Sequence, residues 1–299
     1  MNTHNAFCLG VRNMNLKEKT FRMLNYYDLK AKKRFGQNFL INENIVDDIV
    51  EKSDISREDV VIEIGPGLGN LTEKLIDRAK LVLAFEIDED MIRVLNDRFK
   101  DKTNLVVISK DILQVDLEQI LIENGIGETS VRVVANLPYY ITTPIMFKLF
   151  KYTKYIKTMT IMVQKEVAER IVAKPGSKDY GVLSINTRYY GTSQKLFDVP
   201  NTSFTPAPNV TSAVVKIDIN IIQGVENEDM FFKLVKASFA QRRKKVINSI
   251  ENSNMIDISK DKLRIILERN DISDNTRAEE IDIEKYITIS NDIYKEIKK

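Results

Sequence analysis

The chain of 299 residues predicts an α/β protein with a small all-helical domain at its C-terminal end. Three observations carry that prediction. From about residue 43 to 165, apolar runs alternate with amphipathic segments, the pattern of a mostly parallel sheet covered by helices. Three of the eleven glycines fall in Gly65-Pro66-Gly67-Leu68-Gly69, directly after the apolar run Val60-Val61-Ile62, where a strand must turn tightly into a helix. Beyond Gly224 there is no further glycine and no proline, and the periodicity becomes helical, as in Met230-Phe231-Phe232-Lys233-Leu234-Val235.

The elements follow in order. Strands are predicted near 60–65, 81–86, 104–108, 131–135 and 158–164, with helices near 43–52, 70–78, 89–98, 144–151 and 165–173. Asp88 is placed to cap the third of these helices, and Thr143 before Pro144 reads as a cap followed by a proline at the first helical position. After Pro200, Thr211 to Ile219 alternates apolar and polar side chains as a late strand does. The expected organisation is a leader over 1–29 with no evident role, a main domain over 30–220 and a helical domain over 221–299.

Composition removes several classes of chemistry. An apolar content of 43% over this length buries a large core. The only histidine, His4, and the only cysteine, Cys8, both stand in the polar leader. Histidine general-base chemistry, cysteine nucleophiles and thiolate or imidazole zinc sites therefore lack their ligands, and no metal is expected. One cysteine makes no intrachain disulfide, which suits a reducing compartment. No run approaches the roughly 18 apolar residues of a membrane span, and the leader lacks a signal-peptide core, so a cytoplasmic protein is expected.

Net charge is only +2, so affinity for nucleic acid must be argued locally. Lys32, Lys33 and Arg34, with Lys30 nearby, form one basic cluster, and Arg242-Arg243-Lys244-Lys245 forms another. Each can face a phosphate backbone, and each is also what a solvated helix end looks like.

The glycine cluster implies a nucleoside cofactor. Glycines admit the close backbone approach that a Cβ blocks, and Glu86, ending Leu81-Val82-Leu83-Ala84-Phe85, sits where a ribose diol is held. A dinucleotide site is written G-x-G-x-x-G and an S-adenosylmethionine site E-x-G-x-G-x-G. In Glu63-Ile64-Gly65-Pro66-Gly67-Leu68-Gly69 the third glycine comes one position too early for the first pattern and fits the second. A second constellation, Ala135-Asn136-Leu137-Pro138-Tyr139-Tyr140, ends the fourth predicted strand, and carboxyl ends of strands are where such sheets bind ligands. An Asn oxygen and a nearby main-chain carbonyl there can accept from a flat exocyclic amine while an aromatic ring stacks on the heterocycle. A plain proline turn is the other reading of that tetrapeptide.

Together these residues resemble the KsgA-type small-subunit ribosomal RNA adenine dimethyltransferases, to which the Erm-type large-subunit enzymes are related. The resemblance spans Lys32 to about Arg277 and rests on Arg34 to Leu40, Glu63 to Gly69, Phe85-Glu86-Ile87-Asp88, Lys110-Asp111-Ile112-Leu113, Asn136 to Tyr139, Gln164-Lys165-Glu166-Val167 and Phe204 to Ser212. It implies a Rossmann-like S-adenosylmethionine-dependent methyltransferase sheet over the main domain and a helical domain that recognises RNA or the ribosome. It implies further that Asn38 and Leu40 close over the methionine end of the cofactor, with Gly65 and Gly67 lining it. Glu86 takes the ribose hydroxyls, Asp111 accepts from the adenine amine, and Ile87 and Ile112 pack that ring. Asn136 bridges cofactor and target, Leu137 or Pro138 offers a carbonyl, and Tyr139 and Phe204 sandwich the target base. The implied activity is dimethylation of two adjacent adenosines near the 3′ end of 16S rRNA by a monomer acting on an immature subunit. An Erm-type enzyme would share this catalytic core, although Leu137 and the Phe204 to Ser212 pattern resemble the small-subunit group more. A ribosome-assembly factor with dispensable catalysis is a further alternative, whereas a nicotinamide dehydrogenase is disfavoured by the glycine spacing and the missing proton donor.

Overall fold

A seven-stranded sheet organises the computed structural model, which describes residues 14–128 and 131–298. His4 and Cys8 lie outside the described residues. β2 (Val60–Ile64) pairs in parallel with β3 (Leu81–Phe85) on one side and β5 (Val131–Asn136) on the other. Outside these, β4 (Leu105–Ile108) joins β3 and β6 (Ile156–Gln164) joins β5, both parallel. β9 (Ser212–Ile219) runs antiparallel to β6, and β7 (Gly191–Val199) closes that edge. A separate two-residue pairing joins β1 (Phe39–Leu40) to β8 (Phe204–Thr205).

The chain builds β2, β3 and β4 outward and then returns to place β5 on the other side of β2. Strand order therefore reverses at β2 and β5, and the crevice beyond their carboxyl ends is where an open α/β sheet binds its ligand. Every residue of β2 is buried, which is why Val60-Val61-Ile62 reads as an apolar run with no alternation; Glu63 is the one charged residue in the strand. Helices α1 (Leu16–Tyr26), α2 (Glu43–Lys52), α3 (Asn70–Ile76), α4 (Glu89–Arg98), α5 (Leu117–Glu123) and α6 (Thr142–Phe150) accompany these strands. Val46 and Ile49 of α2 and Leu71 and Leu75 of α3 share one core with Val61, Val82 and Val134 of the sheet.

Asp88 caps α4, its side chain accepting from the Asp90 N–H. The expected start of the next helix is corrected. α6 begins at Thr142 after the 3₁₀ turn Tyr139–Ile141, so Pro144 is its third residue, and no side chain caps it. The Thr142 hydroxyl instead donates to the Pro138 carbonyl at 3.2 Å.

The chain divides into two compact units, one ending at Lys165 and resuming over Lys195–Asp218, the other made of Glu166–Gln194 and the residues from Ile219 onward. Within the expected main domain of 30–220, residues 166–194 are thus reassigned. The cause is packing: Tyr180, Ile185 and Tyr189 share a core with Phe231, Leu234, Ile250 and Tyr286. That second unit contains α7 (Lys165–Val172) from its second residue, α8 (Val182–Tyr190), α9 (Glu228–Ser238), α10 (Val246–Ser253), α11 (Lys260–Arg269) and α12 (Ile283–Ile297). Among the described residues no helix is long and apolar enough to cross a membrane.

Candidate active site

The glycine cluster forms the turn from β2 into α3. Gly67 (φ +56°) and Gly69 (φ +81°) occupy the left-handed region that side chains disfavour. Space excludes a side chain as well, since a Cβ on Gly69 would lie 2.6 Å from the Phe99 ring and one on Gly67 3.3 Å from the Phe39 ring. The turn is closed by the Gly65 N–H donating to the Phe85 carbonyl at 2.9 Å and the Gly69 N–H to Pro66 at 2.9 Å.

Glu86 follows β3 and reaches the loop. One carboxylate oxygen accepts from the Ile87 and Asp88 N–H groups at 2.8 and 2.9 Å, and the other accepts from the Gly67 N–H at 3.2 Å. The residue is only 7% exposed. Burial raises its carboxyl above the ordinary value, opposed by these three main-chain bonds, each of which favours the charged form.

Below the loop lies a cleft enclosing about 1060 Å³ of empty space, open solvent at its mouth included, which suits a nucleoside-sized ligand. Its walls are Phe35–Leu40, the glycine turn, Glu86 and Ile87, Lys110–Ile112 and Asn136–Ile141. Ile87 is 44% exposed beside the acid, an apolar side chain that a planar ring would cover, whereas Ile112 is buried in the wall. Asp111 accepts from the Leu113 N–H at 2.9 Å and the Gln114 side chain at 3.3 Å, which fixes its carboxylate at the rim.

At the end of β5 the Asn136 amide nitrogen donates to the Asn38 carbonyl at 3.3 Å, leaving its oxygen as the acceptor. Asn38 in turn donates to Gly36 at 3.1 Å. The two candidate carbonyls differ. Pro138 C=O already accepts from Ile141 N–H and the Thr142 hydroxyl, both at 3.2 Å. Leu137 donates its N–H to Met162 at 3.1 Å, and its carbonyl accepts from no group among the described residues. Tyr139 lines the cleft, with its hydroxyl 2.5 Å from that of Ser212, and burial raises its pKa, so the phenol stays protonated.

Phe204 is placed differently from expectation. It is 3% exposed, pairs through β8 with Leu40, belongs to the core containing Val199 and Val214, and does not line the cleft. Sandwiching a target base with Tyr139, the place expected of Phe204, requires its ring to leave this core position. The exposed aromatic at the mouth is Tyr140, 58% accessible and within 3.4 Å of where a Gly36 Cβ would stand.

The basic residues separate in the same way. Lys32 places its ammonium 2.6 Å from both Asp88 and Asp90, and Gln37 ties Asp88 to the Lys32 N–H at 2.7 and 2.8 Å. Lys32, expected at a phosphate, is here ion-paired and ties Asp88 and Asp90 to the turn that leads to Asn38. The main chain of Lys33 lies in the 3₁₀ turn Lys33–Phe35, and Arg34 is exposed with its guanidinium 4.6 Å from the centre of the Phe35 ring. In the second unit Arg242, Arg243, Lys244 and Lys245 are all exposed between α9 and α10, and Arg242 donates to the Lys178 carbonyl. None of the four is ion-paired among the described residues.

Sequence reasoning missed Glu63 and Asn70 as cleft residues. Glu63 is 1% exposed, and burial pushes its carboxyl up to about 8, so it is mostly protonated at neutral pH. Its place as the first letter of E-x-G-x-G-x-G was the available signal. Nothing in the sequence marks Asn70.

The chain matches the family described as ribosomal RNA adenine dimethylase over residues 28–295. It is 42% identical over 282 residues to ribosomal RNA small subunit methyltransferase A of Alkaliphilus oremlandii, covering 94% of this chain and 98% of that protein. The Geobacillus sp. protein of the same name is 44% identical, with 91% and 95% coverage. Among solved structures, a dimethyladenosine transferase from Plasmodium falciparum superposes with a TM-score of 0.69 at 29% identity, covering 83% and 94%. The 23S rRNA methyltransferase ErmE does so at 0.64 and 21% identity, covering 86% and 100%, a likeness of fold alone.

Proposed function

The chain belongs to the ribosomal RNA adenine dimethylase family, as an S-adenosylmethionine-dependent methyltransferase, and we propose that it dimethylates the N6 amines of two adjacent adenosines near the 3′ end of 16S rRNA. The observation that carries the proposal is the pair of acceptors at the end of β5, the Asn136 oxygen and the Leu137 carbonyl, beside a cleft floored by the glycine turn.

The cleft suits the cofactor on its own chemistry. Glu86 offers a fixed carboxylate for a ribose diol, Ile87 an uncovered apolar face, Asp111 an acceptor at the rim, and the absent side chain of Gly67 leaves room for close approach. Asn38, Leu40, Gly65 and Ile112 complete the holding set. When bound, S-adenosylmethionine supplies an electrophilic methyl on a sulfonium that leaves readily.

The residues of the chain then act by positioning. An adenine amine is a poor nucleophile because its lone pair is delocalised into the ring. Accepting its two N–H groups at Asn136 and Leu137 favours a pyramidal nitrogen with the lone pair free, and places acceptors where positive charge develops. No histidine or other general base is needed before attack, and the amine proton leaves to solvent afterwards. Tyr139 supplies the stacking face in the cleft, worth roughly 1 to 3 kcal/mol per base. Because a paired, stacked adenine hides its amine, the target must be unstacked from a loop.

The substrate is rRNA within an immature small subunit, engaged by a cytoplasmic monomer. Arg242 to Lys245, with Arg34, supply the backbone contacts. Mass spectrometry of rRNA from cells lacking the gene tests the proposal. Loss of dimethyladenosine from small-subunit rRNA is expected. Loss from the large subunit instead, or no loss, would overturn it.

A further inference from the structure

The helix before the family motifs, α1, contributes no residue to the cleft, yet its buried stripe Leu16, Thr20 and Met23 is directed at the segments that do. Leu16 belongs to the core that contains Leu40, and Met23 to the cluster of Phe39 and Leu68, so one helix face joins the cores under the Phe39–Leu40 segment and under the glycine turn. The polar connection is Asn70, the first residue of α3 and 6% exposed. Its amide nitrogen donates to the Thr20 hydroxyl and to the Leu40 carbonyl, each at 2.9 Å. Thr20, with no exposed surface, donates its own hydroxyl hydrogen bond to the Leu16 carbonyl at 2.8 Å. On the other side Arg98 donates to the Leu68 carbonyl at 2.5 Å and reaches the Asn70 oxygen at 3.4 Å, while pairing with Glu73.

Asn70 thus joins three separate parts of the chain at the point where the turn becomes a helix. Both of its N–H bonds are spent on Leu40 and α1, and neither is left for a ligand in the cleft. A side-chain amide so committed fixes the distance between Leu40 and the glycine turn, the two walls between which the cofactor's amino-acid end must fit. We infer that α1 is a positioning element for cofactor binding, acting through the Thr20 hydroxyl on Asn70. The inference rests on reading the cleft as the S-adenosylmethionine site.

Removing the Thr20 acceptor leaves one Asn70 N–H buried and unpaired, so the wall spacing relaxes before the cofactor binds and affinity falls. The acceptors of the amine hydrogens, Asn136 and Leu137, stand at the end of β5; Asn136 meets the Asn38–Leu40 segment through the Asn38 carbonyl, and saturating cofactor restores that segment's spacing. The expected signature is a change in cofactor affinity and KM without a change in turnover at saturation.

Titration calorimetry of the full-length wild type with S-adenosylmethionine comes first, and failure to bind would overturn the reading of the cleft itself. Hydrogen exchange on the same wild-type protein then compares free and cofactor-saturated states. Slowed exchange across Leu16–Tyr26, which does not touch the cleft, is expected, and unchanged exchange there would overturn the role of α1. Thr20→Val should raise Kd and KM for the cofactor by about tenfold, the scale of one buried hydrogen bond, and Thr20→Ser should restore both to within about twofold. Thr20→Val binding like wild type would contradict the inference. So would additive losses in Thr20→Val and Asn70→Ala, because a path through Asn70 requires the double variant to bind no worse than Asn70→Ala.

Discussion

Replacing Glu86 by alanine removes a carboxylate that three main-chain N–H groups hold at 2.8, 2.9 and 3.2 Å. Two consequences separate. Gly67 and Ile87 line the open cleft, where water can reach their orphaned donors, so the stability loss should be modest, about 1 to 3 kcal/mol. The cofactor loses a charged acceptor for its ribose, an interaction worth about 1.5 to 3 kcal/mol, or roughly 10- to 150-fold in Kd. Glu86→Gln should not rescue. Its amide has a single oxygen, so its NH₂ must face either the Gly67 N–H or the Ile87 and Asp88 pair, donor against donor. Burial also holds this carboxyl above its ordinary value of 4.5, so affinity should decline on acidification earlier than an exposed glutamate would allow. Calorimetry with S-adenosylmethionine, alongside thermal unfolding of the free proteins, reads both effects. A folded Glu86→Ala binding within twofold of wild type would refute the ribose assignment.

Asn136→Ala should lower methyl transfer by about 10²-fold or more while RNA affinity in a gel shift changes little, since its acceptor matters most as charge develops; equal losses in both would make it a binding residue. Converting Arg242, Arg243, Lys244 and Lys245 together to Gln should weaken subunit binding and flatten its salt dependence with cofactor affinity intact, and identical slopes of log K against log salt would return the cluster to a solvated loop. Glu63 carries a carboxyl raised from 4.5 to about 8, so the folded state holds a proton there that the unfolded state has lost. Its stabilising contribution is therefore complete below about pH 4.5 and disappears as pH rises toward 8. Glu63→Gln should gain on wild type across that window by an amount on the order of a few kcal/mol, and parallel melting curves from pH 5 to 8 would be the contrary result.

What the sequence revealed depended on how local the physical cause was. The parallel strands announce themselves because burial on both faces forces apolar runs such as Val60 to Ile62, and the turn at Gly67 because backbone geometry leaves no alternative. β7 escaped notice since only its two end residues are buried and five of its nine are polar. Residues 166–194 were assigned to the wrong core because an amphipathic helix shows that it has a buried face without showing against what. Within the site, Glu86 and Asn136 were legible from strand ends. Phe204, Lys32 and Asn70 were not, as their placement is decided by partners remote in the chain: Leu40, Asp88 with Asp90, and Thr20.

Purified protein, labelled S-adenosylmethionine and small subunits from cells lacking the gene bring substrate, cofactor and enzyme together without other factors. Digestion and mass spectrometry should then locate N6,N6-dimethyladenosine on two neighbouring residues near the 3′ end of 16S rRNA, at up to four methyl groups per subunit, and Asn136→Ala should leave that position unmodified. Methyl groups appearing only on large-subunit rRNA, or none on a subunit that the protein binds, would contradict the proposed activity.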